Sequence, residues 1–229
     1  MDTVIFDLDG TLADTSGDLI AAANRCFAEM GATARLDPVA DAATALRGGK
    51  AMLTLGLRRE GRLSADLVDR WYPELLRAYG EALHVHTVLY PGAMAAVERL
   101  RADGLRVGIC TNKPEALAEA LLVSLGVRSA FGSLVGADTL PTRKPDPAPH
   151  AAAVARAGGT LRGSCLIGDS DTDRRTASAA GVPCVLVTFA PLGRAPMEAL
   201  MPEALIDHFD ELPGVVAALS PLDIDRAGD

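Results

Sequence analysis

Long apolar runs are missing from this 229-residue chain. No stretch of 18 uninterrupted apolar residues occurs, and a helix that crosses a bilayer needs about 20. The sequence therefore predicts no membrane span. The N-terminus places Asp2 and Asp7 early, with no basic region ahead of an apolar one, which argues against a secretory signal. Long basic stretches are also absent, and the formal net charge is −8. That balance argues against nucleic acid or an anionic membrane as partner. An acidic protein that handles anions needs local positive charge. Cysteine is sparse: Cys26, Cys110, Cys165 and Cys184 lie far apart and form no CxxC pair. They are expected to be small buried hydrophobes in a reducing cytoplasm, not disulfides or metal ligands. Internal repeats and low-complexity tracts are absent as well.

Lysine is the scarcest of the charged residues. Of 22 basic residues only Lys50, Lys113 and Lys144 are lysine, and the other 19 are arginine. A compact ammonium on a flexible stem does not replace a planar guanidinium fork. A chain that prefers arginine this strongly marks its lysines as places where the fork does not serve.

What remains is a composition that folds. The chain is 49% hydrophobic and 23% charged, enough for a sizeable core. Strand and helix signals alternate over most of it. Val4 to Leu8 reads as the first strand. Helical "PGAMAAVERLRADG" leads into strand Arg106 to Cys110, then a helix from Pro114 to Gly126 and a short strand in 133–138. "DPAPHAAAVARAGG" is a helix and 164–169 a strand. "TDRRTASAAG" is a helix, 183–189 a strand, and 203–207 a last strand ahead of a helix near 209–219. This rhythm, with near-continuous apolar strands, predicts a parallel sheet covered by helices on both faces, an α/β fold.

Residues 15 to about 85 break the rhythm. Helical segments follow one another there without a β-branched run. They predict an all-helical insertion of residues 15–86, set into a core of 1–14 and 87–229. Trp71 and Tyr72 are expected in the core of that insertion. The C-terminal 220–229 is polar, with Gly and Pro, and is expected to be frayed.

In an open parallel sheet, ligands bind beyond the carboxyl ends of the strands. Several of those ends are polar here. The first strand runs into Asp7 and Asp9, "RVGIC" into Thr111-Asn112-Lys113, and "SCLIG" into Asp169, with Asp171 and Asp173 after it. Lys144 lies in the loop "TRKPDP". Each piece alone has a plain structural reading: "DG" is a turn, "GDSDTD" an acidic loop or helix cap, "TNK" a cap. Their joint occurrence behind apolar strands outweighs those readings. Crowded carboxylates need a counter-charge. Mg²⁺ supplies one, since it takes oxygen ligands and shares a substrate phosphate. Asp7 and Asp169 suit the cation, while Lys144 and Thr111 suit the remaining phosphate oxygens. A carboxylate kept ionised there acts as a nucleophile on phosphorus. Asp9, two residues on, lies close enough to move the proton.

"DLDGTL", "CTNK", "KPDP" and "GDSDTD" resemble the four ordered motifs of the haloacid dehalogenase superfamily of phosphotransferases. The match spans Asp7 to Asp173, and the helical insertion falls where that family carries a small helical cap. The resemblance implies a Rossmann-like core, a Mg²⁺ cofactor and a small phosphorylated metabolite as substrate. It implies that Asp7 becomes the aspartyl-phosphate and that Asp9 is the general acid/base. Asp7, Asp169 and the backbone carbonyl of Asp9 would ligate the metal, with Asp173 behind them. Thr111 and Lys144, with the amides of Leu8 and Asn112, would hold the phosphoryl group. The role of Asp171 is left open. Dehalogenase relatives carry a non-acid two residues after the nucleophile, and phosphonate-cleaving relatives also lack that acid. Asp9 therefore points to phosphate esters. Within the family the chain most resembles phosphoglycolate phosphatase-like enzymes. Alternatives are a phosphomutase of the β-phosphoglucomutase type, or a non-catalytic binding protein of the same fold. No histidine follows the first motif in "ADTSGDLIAAANR", which favours hydrolysis over the mutase. In the insertion, "ALRGGKAML" offers Arg47 and Lys50 beside a Gly-Gly pair, expected to contact a substrate carboxylate; the other reading is an ordinary helix connection. His84, His86 and His150 are expected on the surface or in packing. A monomer or homodimer is expected.

Overall fold

The computed structural model describes residues 1–219; the expected fraying of 220–229 lies outside that range. The chain forms two compact units. One comprises Met1–Leu12 and the chain from Leu89 onward, the other Ala13–Val88.

The first unit begins with β1 (Thr3–Phe6), which ends two residues before the expected Leu8. The chain bends away at Asp7 and Leu8, although the Asp7 amide still donates to the Ile167 carbonyl at 2.9 Å.

The second unit opens with the two-residue strand β2 (Ala13–Asp14). Helices α1 (Ser16–Glu29), α2 (Ala42–Ala45), α3 (Gly49–Arg59) and α4 (Ala65–Gly80) follow. The pair β2 and β3 (Val88–Leu89) forms a two-stranded sheet at its ends. Strand propensity did not announce that pair, because two residues are too few to carry a period. α1, α3 and α4 pack on one another. Their buried faces supply Phe27, Met52, Leu53, Leu57, Leu75 and Tyr79. On α4 the buried positions are Val68, Leu75, Ala78 and Tyr79. Trp71 and Tyr72 are only half-buried, so they flank this core rather than fill it.

Asp18 ties the second unit together. It is buried, and its carboxylate accepts from the amides of Val85, His86 and Thr87 and from the Thr87 hydroxyl, at 2.7 to 3.2 Å. The first turn of α1 is thereby joined to the segment that leaves the unit. Asp18→Asn turns an amide NH₂ toward donors and removes the charge. Hydrogen bonds to charged groups contribute about 1.5–3 kcal/mol each, so a loss of about 2–3 kcal/mol is expected in urea unfolding. An unchanged midpoint would refute this role.

The first unit resumes with α5 (Ala93–Ala102), β4 (Arg106–Cys110), α6 (Glu115–Ser124), β5 (Ser133–Val135) and α7 (Ala148–Ala157). It continues through β6 (Ser164–Gly168), α8 (Asp171–Ala180), β7 (Cys184–Val187), α9 (Arg194–Ala199), β8 (Ala204–Ile206) and α10 (Leu212–Ala218). The short α9 was not foreseen; its "RAPMEA" has one turn and a half and buries only Met197. Six strands form one sheet in the order β5-β4-β1-β6-β7-β8, all parallel. Every residue of β1, β6 and β7 is buried. Neighbouring residues of a strand face opposite sides, so the central strands are covered on both faces. On one side Val154 of α7 and Ala177 of α8 pack with Ile5, Leu166 and Leu186 in a continuous core. All four cysteines are free and buried, and burial pushes the thiols of Cys110 and Cys165 up to about 12. Among the described residues no helix is long and apolar enough to cross a membrane.

Candidate active site

The strand order decides which polar ends meet. β1 lies between β4 and β6, and Phe6 is level with Ile109 on one side and Ile167 on the other. Parallel strands end on the same edge. β1 runs on into Asp7, β4 ends at Cys110 just ahead of Thr111, and β6 ends at Gly168 just ahead of Asp169. The three motif ends are thus neighbours because three central strands share one register.

Lys144 joins them. Its side chain is 1% exposed, and its ammonium stands 2.6 Å from Asp173 Oδ1 and 3.1 Å from Asp7 Oδ1. Its loop is fixed by the Asn112 side-chain amide, which donates to the Lys144 carbonyl at 3.0 Å. The Lys144–Pro145 peptide is cis. Burial by itself would pull the ammonium's pKa down, but Asp173 and Asp7 outweigh it and the net shift is upward. This lysine stays charged.

Asp173 is completely buried. Its second oxygen accepts from the Ser170 hydroxyl at 2.5 Å and the Asp169 amide at 3.3 Å. Ser170 in turn caps α8, accepting from the Asp173 amide. Gly168 leaves room for this arrangement: a Cβ there would come within 2.3 Å of the Asp173 carboxyl. Asp173 therefore anchors Lys144 and braces the β6–α8 turn. Asp171, two residues earlier, faces solvent with its side chain 61% exposed and lies 3.6 Å from Arg175. Its open role resolves to the surface.

Asp169 is buried and accepts from the Thr11 hydroxyl at 2.9 Å. The carboxylates of Asp7, Asp169 and Asp173 offer oxygens that all lie within 4.8 Å of one another. Burial raises the Asp7 pKa to about 6; Asp173 and Asp9 add to the rise and Lys144 opposes it. Burial also raises Asp169 well above the carboxylate range, with Asp173 and Asp7 adding to it. One ammonium is too little positive charge for this cluster. A small divalent cation bound by oxygen fits the donor set and the deficit. Both bonds to Asp7, from Lys144 and from the Leu8 amide at 2.7 Å, fall on Oδ1. The Leu8 amide, expected to face phosphate, donates to the Asp7 carboxylate in this structure.

Thr111 is buried, and its hydroxyl accepts from the Lys113 amide at 3.2 Å, closing the turn after β4. Asn112 is exposed. The ammonium of Lys113 donates to both oxygens of Asp9, at 2.7 and 2.9 Å. Lys113 stands in the sequence as one of three lysines and as a polar residue behind an apolar strand, with no partner indicated, and Thr11 stands there as part of "DLDGTL" only. The scarcity of lysine was the one available signal for the first. Nothing local marked the second.

Arg47 and Lys50 lie in the helical unit, both exposed. Lys50 belongs to the first turn of α3, pairs with Asp69 at 2.6 Å and lies over the Tyr72 ring. His150 is fully buried in α7 with Nε2 3.0 Å from the Ser164 hydroxyl. Burial, aided by Lys144, lowers its pKa to about 4. It is a packing residue.

Known proteins resemble this chain over most of its length. Residues 4–187 match the family model for haloacid dehalogenase-like hydrolases. The chain is 36% identical to a phosphoglycolate phosphatase of Cereibacter sphaeroides over 96% of its own length and 99% of the relative's. It is 37% identical to a phosphoglycolate phosphatase of Mesorhizobium japonicum, covering 91% and 92% of the two chains. Among solved structures, a predicted phosphoglycolate phosphatase from Haemophilus somnus superposes with a TM-score of 0.81 at 24% identity, covering 94% and 97%. With one parallel sheet, one acidic cluster at its carboxyl edge and relatives that match nearly end to end, the chain belongs to the haloacid dehalogenase-like hydrolase family.

Proposed function

We propose that this phosphoric monoester hydrolase is a Mg²⁺-dependent phosphatase acting on phosphoglycolate or a similar small phosphorylated metabolite, through an aspartyl-phosphate on Asp7. The observation that carries the reading is Lys144, buried between Asp7 and Asp173 with Asp169 in the same cluster. The name shared by the relatives supports phosphoglycolate as the substrate.

On this reading Asp7, Asp169 and the backbone carbonyl of Asp9 hold the cation, which neutralises phosphate and carboxylate charge together. Lys144, the Thr111 hydroxyl and the amides of Leu8 and Asn112 bind the phosphoryl oxygens. Asp7 attacks phosphorus in line, and the bond to the alcohol oxygen breaks as that oxygen takes a proton from Asp9. Asp9 then takes a proton from water, whose oxygen displaces Asp7 from phosphorus. Positioning and charge stabilisation supply most of the acceleration. The helical insertion, residues 15–86, serves as the cap domain on this reading, with Arg47 and Lys50 available to a substrate carboxylate. Four buried thiols support a reducing compartment, the cytoplasm, and a monomer or homodimer suffices for the chemistry.

The test is a panel of phosphorylated metabolites assayed for kcat/KM with Mg²⁺. Phosphoglycolate is expected to rank highest, EDTA to abolish phosphate release, and added Mg²⁺ to restore it. Arg47→Ala is expected to cost more on an acidic ester than on a neutral one; equal losses would sink the carboxylate role. Hydrolysis that survives EDTA would sink the metal. Product that forms only with a sugar diphosphate activator would replace the phosphatase by a mutase.

A further inference from the structure

Two of the three lysines are buried among the candidate site residues, and the mechanism above uses only Lys144. Lys113 is as enclosed: its side chain is 3% exposed, against 16% for the Asp9 carboxylate it meets. A charge is kept at such a place only when it is paired. The pairing is specific, because one ammonium contacts both oxygens of Asp9, at 2.7 and 2.9 Å. The torsion that turns a carboxyl plane is otherwise broad and roughly two-fold. A donor that holds both oxygens fixes it. The Lys113 stem is itself fixed, since its backbone amide is bonded to Thr111 in the turn after β4. Asp9 is thus oriented from the neighbouring strand.

We propose that Lys113 is a positioning residue for Asp9, fixing the direction in which the carboxyl group exchanges a proton with the leaving oxygen and with water. The proposal rests on the reading of Asp9 as the group that moves that proton. An ionised carboxylate has about four lone-pair sites. Lys113 takes one on each oxygen and leaves one on each for the proton. When protonated, Asp9 keeps an acceptor for the ammonium, so both forms remain held through the two steps.

The test uses leaving groups. An alkyl ester such as phosphoglycolate needs a proton on its departing oxygen, whereas p-nitrophenyl phosphate releases a stable anion without one. Since general acid–base catalysis contributes roughly 10²–10⁴-fold, Lys113→Met is expected to lower kcat/KM about 10²-fold on phosphoglycolate and less than about 3-fold on the aryl ester. Asp9→Asn is expected to show the same split. The double variant Lys113→Met/Asp9→Asn is expected to be no slower than Asp9→Asn alone, because a residue that acts through another adds nothing once that other is gone. The double variant removes both members of the pair, so this comparison stands even if Lys113→Met folds poorly. Equal losses on both esters, a further loss in the double variant, or a faster Lys113→Met enzyme would each overturn the proposal. A split in Asp9→Asn without one in Lys113→Met would overturn it alone. No split in Asp9→Asn would sink the reading of Asp9, and the proposal with it.

Discussion

Asp7→Asn is expected to lower kcat by about 10⁴–10⁶-fold, the scale on which loss of a nucleophile is felt, while leaving the metal-free protein at least as stable as before. The two outcomes have one cause. Asp7 is a carboxylate in a place that disfavours carboxylates: burial, Asp173 and Asp9 raise it from 3.8 to about 6. The folded state therefore binds a proton more tightly than the unfolded chain. The ionised group costs stability as pH rises from about 4 through 6, and the full cost is present above that. At about 1.4 kcal/mol per pH unit, the cost approaches 3 kcal/mol at neutral pH. The amide is nearly isosteric and carries no charge. It gives up the bond to Lys144, so the net gain is smaller than that bound. Urea unfolding of metal-free protein at pH 5 and pH 7.5 checks the sign: the wild type should weaken between them more than the variant does. Undiminished hydrolysis by Asp7→Asn would refute the nucleophile.

Lys144→Met should be the most damaging exchange in the molecule. It strands Asp173, 0% exposed, and takes from Asp7 and Asp169 the ammonium beside them. Breaking a buried pair by removing one partner costs about 3–5 kcal/mol, a large share of a domain's net stability. Activity should fall by at least about 10³-fold, since preorganised charge at the phosphoryl group is lost. Asp173→Asn in the same chain should recover part of the stability and none of the activity, as expected for coupled neighbours. Full additivity of the two changes would argue against the pairing. Lys144→Arg is not expected to rescue either property, because the guanidinium is larger than the enclosed slot and its fork does not match two separate acceptors.

The helices and strands of the first unit were legible because their periods are local. An apolar run bounded by Pro or Gly reads as a strand or helix wherever it ends up. The residues gathered at the candidate site were legible for a related reason. A carboxylate or hydroxyl just behind an apolar strand can only emerge at a sheet edge. The two-residue strands Ala13–Asp14 and Val88–Leu89 and the six-residue helix Arg194–Ala199 were not legible. Segments that short have no period, and tertiary packing selects them.

By itself the amino-acid order determined the α/β alternation, the interruption by a helical insertion, and the supply of Asp7, Asp9, Thr111 and Asp169 behind strands, of Lys144 in a loop and of Asp173 in a helix start. Only the tertiary structure decided who faces whom. Lys113 meets Asp9 across 104 positions of sequence, Thr11 meets Asp169 across 158, and Lys144 meets Asp173 across 29. Asp171 and Asp173 are two residues apart in one helical turn, yet one is in solvent and the other at the centre of the site. Such pairings follow from placing β1 between β4 and β6 in register, and that placement comes from burying six strands in one sheet, a property of the whole core that no single stretch contains.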